Sequence, residues 1–163
     1  SQSPPYRCAN GRMRNISELR MVKGVDRALY ARLAPYVTVY GTGHVNMNCA
    51  PEPVIAALAQ AHASHEIDVD VCESLAEKIG EFRRGGGAFR TDDDIRDAPE
   101  ELGLTGDERG LFNDIPASGL DRMSTVFRGI SFAVAGEGER PGIAVEFVFD
   151  KRSGTFVSWR EFR

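Results

Sequence analysis

The sequence predicts an α+β protein, with helices up to about residue 120 followed by an antiparallel β-sheet. Before that point, apolar residues recur at helical spacing in short segments that glycine and proline separate. After it, three strand-like segments follow one another with turn-forming residues between them: 124–135, 142–149 and 155–162. We therefore predict a helical domain over residues 1–120 and an antiparallel sheet over residues 121–163.

The first two helices form a closely spaced pair. Residues 16–22 place apolar side chains at helical spacing, and Gly24 ends this helix. Asp26 is a typical N-cap residue for the second helix, which Pro35 ends. Two short helices joined by residues 22–25 are typical of a helix-hairpin-helix unit.

The middle of the chain combines short extended segments with longer helices. Residues 36–40 are β-branched and aromatic, and together with residues 44–48 they are predicted as two extended segments that flank a turn. Helices with one apolar face are predicted over residues 51–63 and 70–83. The glycines at 85–87 then break the helical pattern and are predicted to be a flexible connector.

A second helical unit follows that connector and is a degenerate copy of the first. Residues 86–95 are similar to residues 10–19, which suggests an internal duplication. Thr91 is predicted to cap the first helix of this unit, and Gly103 is its hairpin glycine. The helical domain is thus predicted to contain two helix-hairpin-helix, or SAM-like, units.

The last three segments predict an antiparallel sheet with one covered face. Alternation assigns six residues to that face: Ile130, Phe132, Val134, Val145, Phe147 and Phe149. A three-stranded sheet needs an apolar element across it. The helices before it are predicted to form a core of their own, so the sequence does not reveal what covers the sheet.

Composition and charge exclude several classes of protein. With 42% hydrophobic and 27% charged residues, the 163-residue chain is globular rather than disordered. Its apolar stretches are far shorter than a membrane span, and its first residues are unlike an export signal. Twenty basic against 24 acidic residues give a net charge of −4, which does not favour non-specific binding of nucleic acid or anionic membranes.

The candidate metal ligands are few. Asp92, Asp93 and Asp94 form the strongest cluster of oxygen ligands and suggest calcium, although their spacing is not that of an EF-hand loop. Acidic residues also favour the start of a helix, and this structural interpretation is the preferred one. His62 and His65 form a second pair at metal-ligand spacing, at the end of a helix where polar side chains are commonly solvated. No residue is predicted as catalytic, cofactor-binding or metal-binding.

Two alternative functions remain open from the residues. The hairpin at 22–25 resembles those that place backbone amides against a DNA phosphate, with Arg20, Lys23 and Arg27 as the nearby cations. The acidic residues at 92–94 could instead serve a metal-dependent hydrolase. DNA binding at low salt would support the first alternative, and activity or tight metal retention the second.

A specific series of motifs carries a resemblance to a known family. Residues 16–41 contain a Glu-Leu pair, a hydrophobic-Gly step, Leu-Tyr and a Tyr-Val-Thr-Val-Tyr-Gly run. An Asn-x-Asn-x-Ala-Pro run follows at residues 46–51, and Trp-Arg-Glu lies near the C-terminus at 159–161. This order resembles the K-type minor pseudopilins of bacterial type II secretion. Cys49 departs from the family pattern, which has threonine there.

The resemblance implies both a fold and a role. It implies a helical domain inserted in a pilin-like fold, with the chain as a C-terminal soluble fragment that lacks the apolar N-terminal helix and the first strands. It implies a periplasmic domain, anchored in the inner membrane of a Gram-negative bacterium. The expected partners are the I- and J-type minor pseudopilins at the tip of the pseudopilus, where the subunit would initiate or cap assembly without enzymatic activity.

The resemblance also bears on the three cysteines. A periplasmic compartment is oxidising, so that two of Cys8, Cys49 and Cys72 could be joined. Cys49 with Cys72 is the preferred pair, because both belong to the same subdomain and the loop between them is shorter than either loop that starts at Cys8. Two helix starts separated by another helix could nevertheless be too far apart for a disulfide.

Overall fold

The computed structural model describes residues 11–64, 67–115, 119–133 and 142–162. It divides the chain into two compact units, Ser1–Tyr40 and Gly41–Arg163. Among the described residues, no helix combines the length and the apolar character that crossing a membrane requires. The protein is mixed helix and sheet, as the sequence predicts.

The first unit contains a short 3₁₀ helix and a short α-helix. The 3₁₀ helix, Ile16–Met21, begins at a capping box in which Asn15 Oδ1 accepts a hydrogen bond from Ser17 N at 2.9 Å. Helix α1, Arg27–Leu33, begins at Asp26, whose Oδ1 accepts a hydrogen bond from Leu29 N at 2.7 Å. Gly24 has a φ of +93° in the turn between them, a conformation that glycine adopts without strain.

The first part of the second unit contains four helices between two short parallel strands. Strand β1, Val45–Asn46, pairs with β2, Leu120–Asp121, although 73 residues separate their ends. Between these strands lie the four helices: α2, Glu52–His62; α3, Val69–Arg84; α4, Asp92–Glu101; and α5, Gly106–Asp114. Thr91 and Thr105 begin α4 and α5 with capping boxes, which confirms the predicted cap at Thr91.

The helices enclose one continuous hydrophobic core. Its largest fully buried side chains come from α2, α3 and α5, from the segment before α2 and from the connection between α3 and α4: Phe89, Met47, Ile55, Leu75, Ile79, Leu111 and Cys72. The rings of Phe82 and Phe89 lie 5.0 Å apart within it. No residue of the last three strands belongs to this core, which confirms that the helices form a core of their own.

The last three strands form an antiparallel meander in the order β3–β4–β5. Strand β3 is Val126–Ala133, β4 is Ile143–Asp150 and β5 is Thr155–Phe162, each of eight residues. A β-bulge interrupts the pairing of β4 with β5 between Val148 and Phe149. The three predicted strands are therefore confirmed, with slightly different ends.

Two local predictions are wrong. Residues 36–40 form no strand, and of the predicted extended segment at 44–48 only β1 is a strand, whereas the bends within residues 41–43 agree with the predicted turn. Strand β1 pairs with β2 rather than with residues 36–40, because aromatic and β-branched residues form a strand only where a partner strand is available. The glycines at 85–87 end α3 through backbone hydrogen bonds, among them Gly87 N to Phe82 O at 2.9 Å, and are not a free connector.

Other predictions about the architecture stay predictions. The predicted domain boundary after residue 120 falls within β2, which joins the helical core to the following segment through its pairing with β1. The helix-hairpin-helix and pilin-like descriptions likewise stay predictions, because the helices and the antiparallel sheet by themselves define only an α+β protein.

Candidate interaction surfaces

The Asn-rich segment at residues 46–51 folds around its own side chains. Asn46 Oδ1 accepts a hydrogen bond from Asn48 N at 2.9 Å, which forms an Asx turn directly after β1. The amide nitrogen of Asn46 donates to Ser124 Oγ at 2.9 Å. The turn therefore joins the start of the helical core to the chain that enters the sheet.

Asn48 joins three parts of the second unit. Its Oδ1 accepts a hydrogen bond from Phe89 N at 2.8 Å, and its Nδ2 donates to Phe89 O at 2.7 Å. The same nitrogen donates to Arg122 O at 2.9 Å. An amide side chain has the donors and the acceptor that this arrangement needs. Asn48 thus holds both the segment that precedes α4 and the chain after β2.

Helix α3 binds the same segment from another side. Arg83 Nη1 donates to Ala50 O at 2.6 Å and to Met47 O at 3.3 Å. Met47 itself is fully buried in the helical core. The motif that carries the sequence resemblance is therefore a structural junction, and the side chains of Asn46 and Asn48 are occupied within the protein.

The predicted disulfide between Cys49 and Cys72 is not formed, and both cysteines are free. Cys72 is buried in the helical core, where desolvation raises the pKa of its thiol. Cys49 is exposed, and its Sγ lies 3.7 Å from Ser124 Oγ. The two thiols thus occupy different environments, one inside the core and one at the surface. Cys8 lies outside the described residues.

The three aspartates at the start of α4 each have a different partner. Asp94 Oδ1 accepts a hydrogen bond from Thr91 Oγ1 at 2.7 Å, and this hydroxyl, followed by the backbone amides of residues 90 and 91, lowers the pKa of the carboxyl. Asp92 pairs with Arg122 at 2.7 Å and Asp93 with Arg96 at 2.9 Å. This arrangement favours the helix-start interpretation over a shared calcium ion.

The candidate metal ligands are not gathered elsewhere in the part of the chain that the structure describes. Within those ranges, no group of three or more His, Cys, Asp or Glu side chains is placed to hold a metal ion. His62 is exposed at the end of α2, and its proposed companion His65 lies outside the described residues. Calcium binding at 92–94 stays a prediction.

The carboxylate of Glu108 binds several partners among the helices, and the sequence did not predict these contacts. Its two oxygens accept hydrogen bonds from Lys78 Nζ at 2.6 Å and Ser74 Oγ at 2.7 Å, which ties α5 to α3. Burial alone would raise the pKa of Glu108, but the hydrogen bonds from Lys78, Ser74 and the backbone of Thr105 outweigh it and lower that pKa. This group is a structural contact between helices.

One face of the three-stranded sheet is almost entirely apolar, and we call it the aromatic face. Directly paired residues share a face, so the pairing of Phe147 with Gly129 and Trp159 assigns all three to this side. The ring of Phe156 lies 5.3 to 5.6 Å from those of Phe147, Phe149 and Trp159. The face comprises Phe127, Gly129, Ser131, Ala133, Ile143, Val145, Phe147, Phe149, Phe156, Trp159 and Glu161.

The opposite side, which we call the charged face, has an ion-pair cluster at its centre. Glu146 accepts hydrogen bonds from Arg128 on β3 and from Arg160 on β5, the latter at 2.6 Å. The two guanidinium groups, Arg128 first, lower the pKa of Glu146. Because both arginines are mostly exposed, the cluster contributes little to stability and mainly gives this face its polarity.

The predicted apolar face is wrong in its membership. Val145, Phe147 and Phe149 do lie together on the aromatic face. Ile130 and Phe132 pair with Glu146 and Ala144, however, and so belong to the charged face. The alternation within each strand was predicted correctly. The register between β3 and β4 differs by one residue from the predicted one, so the predicted apolar residues of the two strands lie on opposite faces. The sixth member of the predicted set, Val134, lies outside the described residues.

The fold and these surfaces define an α+β protein that combines a helical core with a separate antiparallel sheet. A family model described as "Type II secretion system (T2SS), protein K" matches residues 1–42. Proteins named "Type II secretion system protein K" also match longer parts of the chain. The resemblance found in the sequence is thereby confirmed: the chain is similar to proteins named type II secretion system protein K.

Three relatives illustrate the extent of the similarity. Protein K of Pseudomonas aeruginosa is 33% identical over 103 residues, which cover 63% of this chain and 27% of that protein. The relative from Pectobacterium carotovorum is 52% identical over 44 residues, or 27% of this chain and 13% of that protein. The relative from Aeromonas hydrophila is 43% identical over 70 residues, or 42% and 21% of the two chains.

The matched regions therefore span little more than a quarter of these curated relatives at most. No solved structure matches the chain significantly. The names of these relatives refer to type II secretion and not to DNA binding, so the DNA-binding alternative gains no support from them.

Proposed function

We propose that this chain is the periplasmic part of a non-enzymatic minor pseudopilin of a type II secretion system. The relatives named protein K of that system carry the proposal. The segment at 46–51 supports it, because the motif that resembles the family is also the junction that organises the second unit. The role requires surfaces for other subunits and needs no cofactor.

In the pilin-like part of the subunit, we assign the aromatic face as the side of the sheet on which an apolar helix packs. The resemblance implies an apolar helix that lies across the sheet and anchors the protein in the inner membrane. The aromatic face fits such a helix, because its large rings form a continuous apolar patch, with Phe156 and Trp159 56% and 57% exposed. The charged face fits that helix poorly, since the Arg128–Glu146–Arg160 cluster divides its apolar residues.

The helical core is the part that would limit assembly. Its buried residues come from residues 47–120 and form a core without the sheet, so it is a bulky and self-contained body. A body of that kind on one end of a helical stack blocks the addition of further subunits by steric exclusion. We propose that the subunit initiates or caps the pseudopilus tip together with I- and J-type minor pseudopilins.

Reconstitution tests the proposed assembly. The chain would be mixed with the soluble domains of the cognate I- and J-type pseudopilins and analysed by gel filtration with light scattering. We expect one complex that contains the three chains in equal amounts. Even weak specific complexes commonly form at micromolar concentration. If the three proteins elute separately under these conditions, the proposed role is wrong.

A dye-binding measurement tests the assignment of the sheet faces. The double variant Phe156→Ser with Trp159→Ser should bind less 8-anilinonaphthalene-1-sulfonate than the wild type, because it interrupts the ring cluster. The matched control, Ile130→Ser with Phe132→Ser, removes equally exposed residues of the charged face and should change the binding less. Equal losses would contradict the preference for the aromatic face.

A further inference from the structure

We propose that the first compact unit docks on a protein surface rich in exposed carboxylates. The described part of this unit, residues 11–40, contains the 3₁₀ helix, α1 and the turn between them, and we call it the basic hairpin. The role proposed above concerns the sheet and the helical core, so this docking role does not depend on it.

The charge of the chain is distributed unevenly between the two units. Residues 1–40 contain seven Lys and Arg against two acidic residues, for a net charge of +5. Residues 41–163 contain 13 against 22, for a net charge of −9. The overall charge of −4 is thus the sum of two net charges of opposite sign. Such asymmetry is typical of a protein in which one unit binds a charged partner.

The basic residues of the hairpin have no acidic partner in the described ranges. Six of them are exposed and take part in no ion pair there: Arg12, Arg14, Arg20, Lys23, Arg27 and Arg32. Its two acidic side chains accept backbone hydrogen bonds instead. Glu18 accepts from Asn15 N at 3.0 Å, and Asp26 from Leu29 N at 2.7 Å. The cations are therefore free to meet carboxylates from outside.

The second unit provides the internal comparison. Seven of its basic side chains form ion pairs in the described ranges: Lys78, Arg84, Arg96, Arg109, Arg122, Arg128 and Arg160. Most of the described basic side chains of this unit are thus paired with carboxylates. The unpaired cations of the hairpin reflect the local lack of carboxylates rather than a general property of the chain.

The basic hairpin also exposes apolar surface of the kind that protein interfaces use. Neither of its helices contains a buried residue, and Met21, Val22 and Tyr36 are 60%, 44% and 46% exposed. An open depression next to α1 is lined by Leu29, Ala31, Arg32, Leu33, Pro35 and Tyr36. Met, Tyr and Arg are enriched in protein interfaces, and this mixture suits a protein partner with both acidic and apolar side chains.

Electrostatics favour a protein partner over a polyanion. A long DNA duplex or an anionic membrane extends beyond the hairpin and would be repelled by the net charge of −9 on the second unit. A carboxylate-bearing protein surface presents its charge over a short range and avoids this repulsion. Five of the six described cations are arginines, whose planar guanidinium binds carboxylates through two parallel hydrogen bonds.

A peptide-binding measurement on the full chain tests the proposal. The probe is a fluorescein-labelled peptide of four Glu-Glu-Leu repeats, followed by fluorescence anisotropy at low and high salt. The triple variant Arg20→Glu, Lys23→Glu, Arg27→Glu should weaken binding about tenfold or more. The matched control Arg90→Glu, Lys151→Glu, Arg152→Glu changes exposed cations of the second unit by the same charge and should change the affinity less than about twofold.

Carbodiimide coupling maps the same contact without a charge-reversed variant. The reagent joins carboxylates to lysine amines, and the chain has three lysines, Lys23, Lys78 and Lys151. Lys78 is paired with Glu108, which leaves Lys23 on the hairpin and Lys151 as an exposed control. We expect peptide cross-links at Lys23.

The outcomes are distinct. Absence of peptide binding, equal loss in the two triple variants or cross-links mainly at Lys151 would overturn the proposal. A short DNA duplex or phosphatidylglycerol vesicles could bind more tightly than the peptide. If the triple variant of the hairpin then lost this binding, the partner would be a polyanion rather than a protein. Self-association that the same triple abolishes would assign the surface to a second copy of the chain. None of these results depends on the assembly with other pseudopilins.

Discussion

The helical core and the three-stranded sheet of the second unit differ in how completely they bury their apolar residues. In the helical core, Phe89, Leu75 and Leu111 are at most 1% exposed. In the sheet, only Ala144 and Val148 are buried, and the rings of Phe156 and Trp159 are more than half exposed. The helical core completes its own burial, whereas the sheet retains apolar surface that another element can cover.

A pair of phenylalanine substitutions measures this difference most directly. Phe89→Ala should lower the free energy of unfolding of the helical core by about 3–5 kcal/mol, because it leaves a cavity among fully buried side chains. Phe156→Ala should cost less than about 1 kcal/mol, because its ring already contacts water. Urea unfolding followed by far-UV circular dichroism and by tryptophan fluorescence checks both values.

The two probes also test whether the regions are independent. Circular dichroism mainly follows the helices, while Trp159, the single tryptophan, lies on β5. We expect Phe89→Ala to shift the dichroism transition more than the fluorescence transition, since the core contains no residue of the sheet. Identical shifts in both signals would show that the two regions unfold as one.

Removal of the Asn48 side chain should produce the next largest effect. Asn48→Ala should destabilise the helical core by about 2–3 kcal/mol, because it leaves the backbone groups of Phe89 and the carbonyl of Arg122 without their partner. Chemical unfolding measures the loss. The matched control, Asn113→Ala at an exposed position of α5, should change the stability by less than about 0.5 kcal/mol.

Substitution of Glu108 should cost less and should depend on pH. Glu108→Gln weakens the contacts with Lys78 and Ser74 and should cost about 1–2 kcal/mol at neutral pH. Because the pKa of Glu108 is lowered on folding, the unfolded state binds its proton more readily. The stabilisation is therefore complete above the ordinary value of 4.5 and is lost as the pH falls through the lower folded pKa.

Unfolding measured at neutral and at acidic pH checks this sign. The difference between the wild type and Glu108→Gln should shrink as the pH falls below 4.5. The control Glu101→Gln, at an exposed position of α4, should show a much smaller difference at neutral pH. A difference that grows in acid would contradict the hydrogen-bonded carboxylate.

A small effect is also expected from a glycine substitution within the sheet. A Cβ atom at Gly129 would lie 2.4 Å from the ring of Phe147, so Gly129→Ala must displace that ring and should destabilise the sheet by about 1 kcal/mol. The control Gly110→Ala has open space in α5 and should stabilise its helix by roughly 0.5–1 kcal/mol. Tryptophan fluorescence for the first variant and circular dichroism for the second measure these opposite changes.

Sequence patterns predicted the local structure better than they predicted the surfaces. The caps at Asp26 and Thr91 and the three C-terminal strands were identified, because capping and alternation depend on residues close in the chain. The faces of the sheet were partly misassigned, because register depends on the partner strand. The polar residues Arg128, Glu146 and Arg160 in otherwise apolar strands were the signal that could have revealed a second, charged face.

The resemblance carried by residues 46–51 was found from the sequence, but its structural role was not. The series of asparagines, alanine and proline is visible as a motif. Asn48 binds Phe89 and Arg122, which lie 41 and 74 positions further along the chain. These contacts could therefore not be predicted from neighbouring residues. The pairing of Cys49 with Cys72 was expected from their shared subdomain and short loop, but the difference in burial that separates the two thiols could not be predicted from their spacing.

The α+β class, most of the helices, the last three strands and the resemblance to type II secretion system protein K were all predicted from the sequence. These follow from periodicity, caps, turns and a motif order, which are all local properties of the chain. The pairing of β1 with β2, the contacts of Asn48 and the division of the sheet into an aromatic and a charged face could be identified only in the folded structure. These features depend on contacts between residues distant in sequence, and such contacts exist only once the chain has folded.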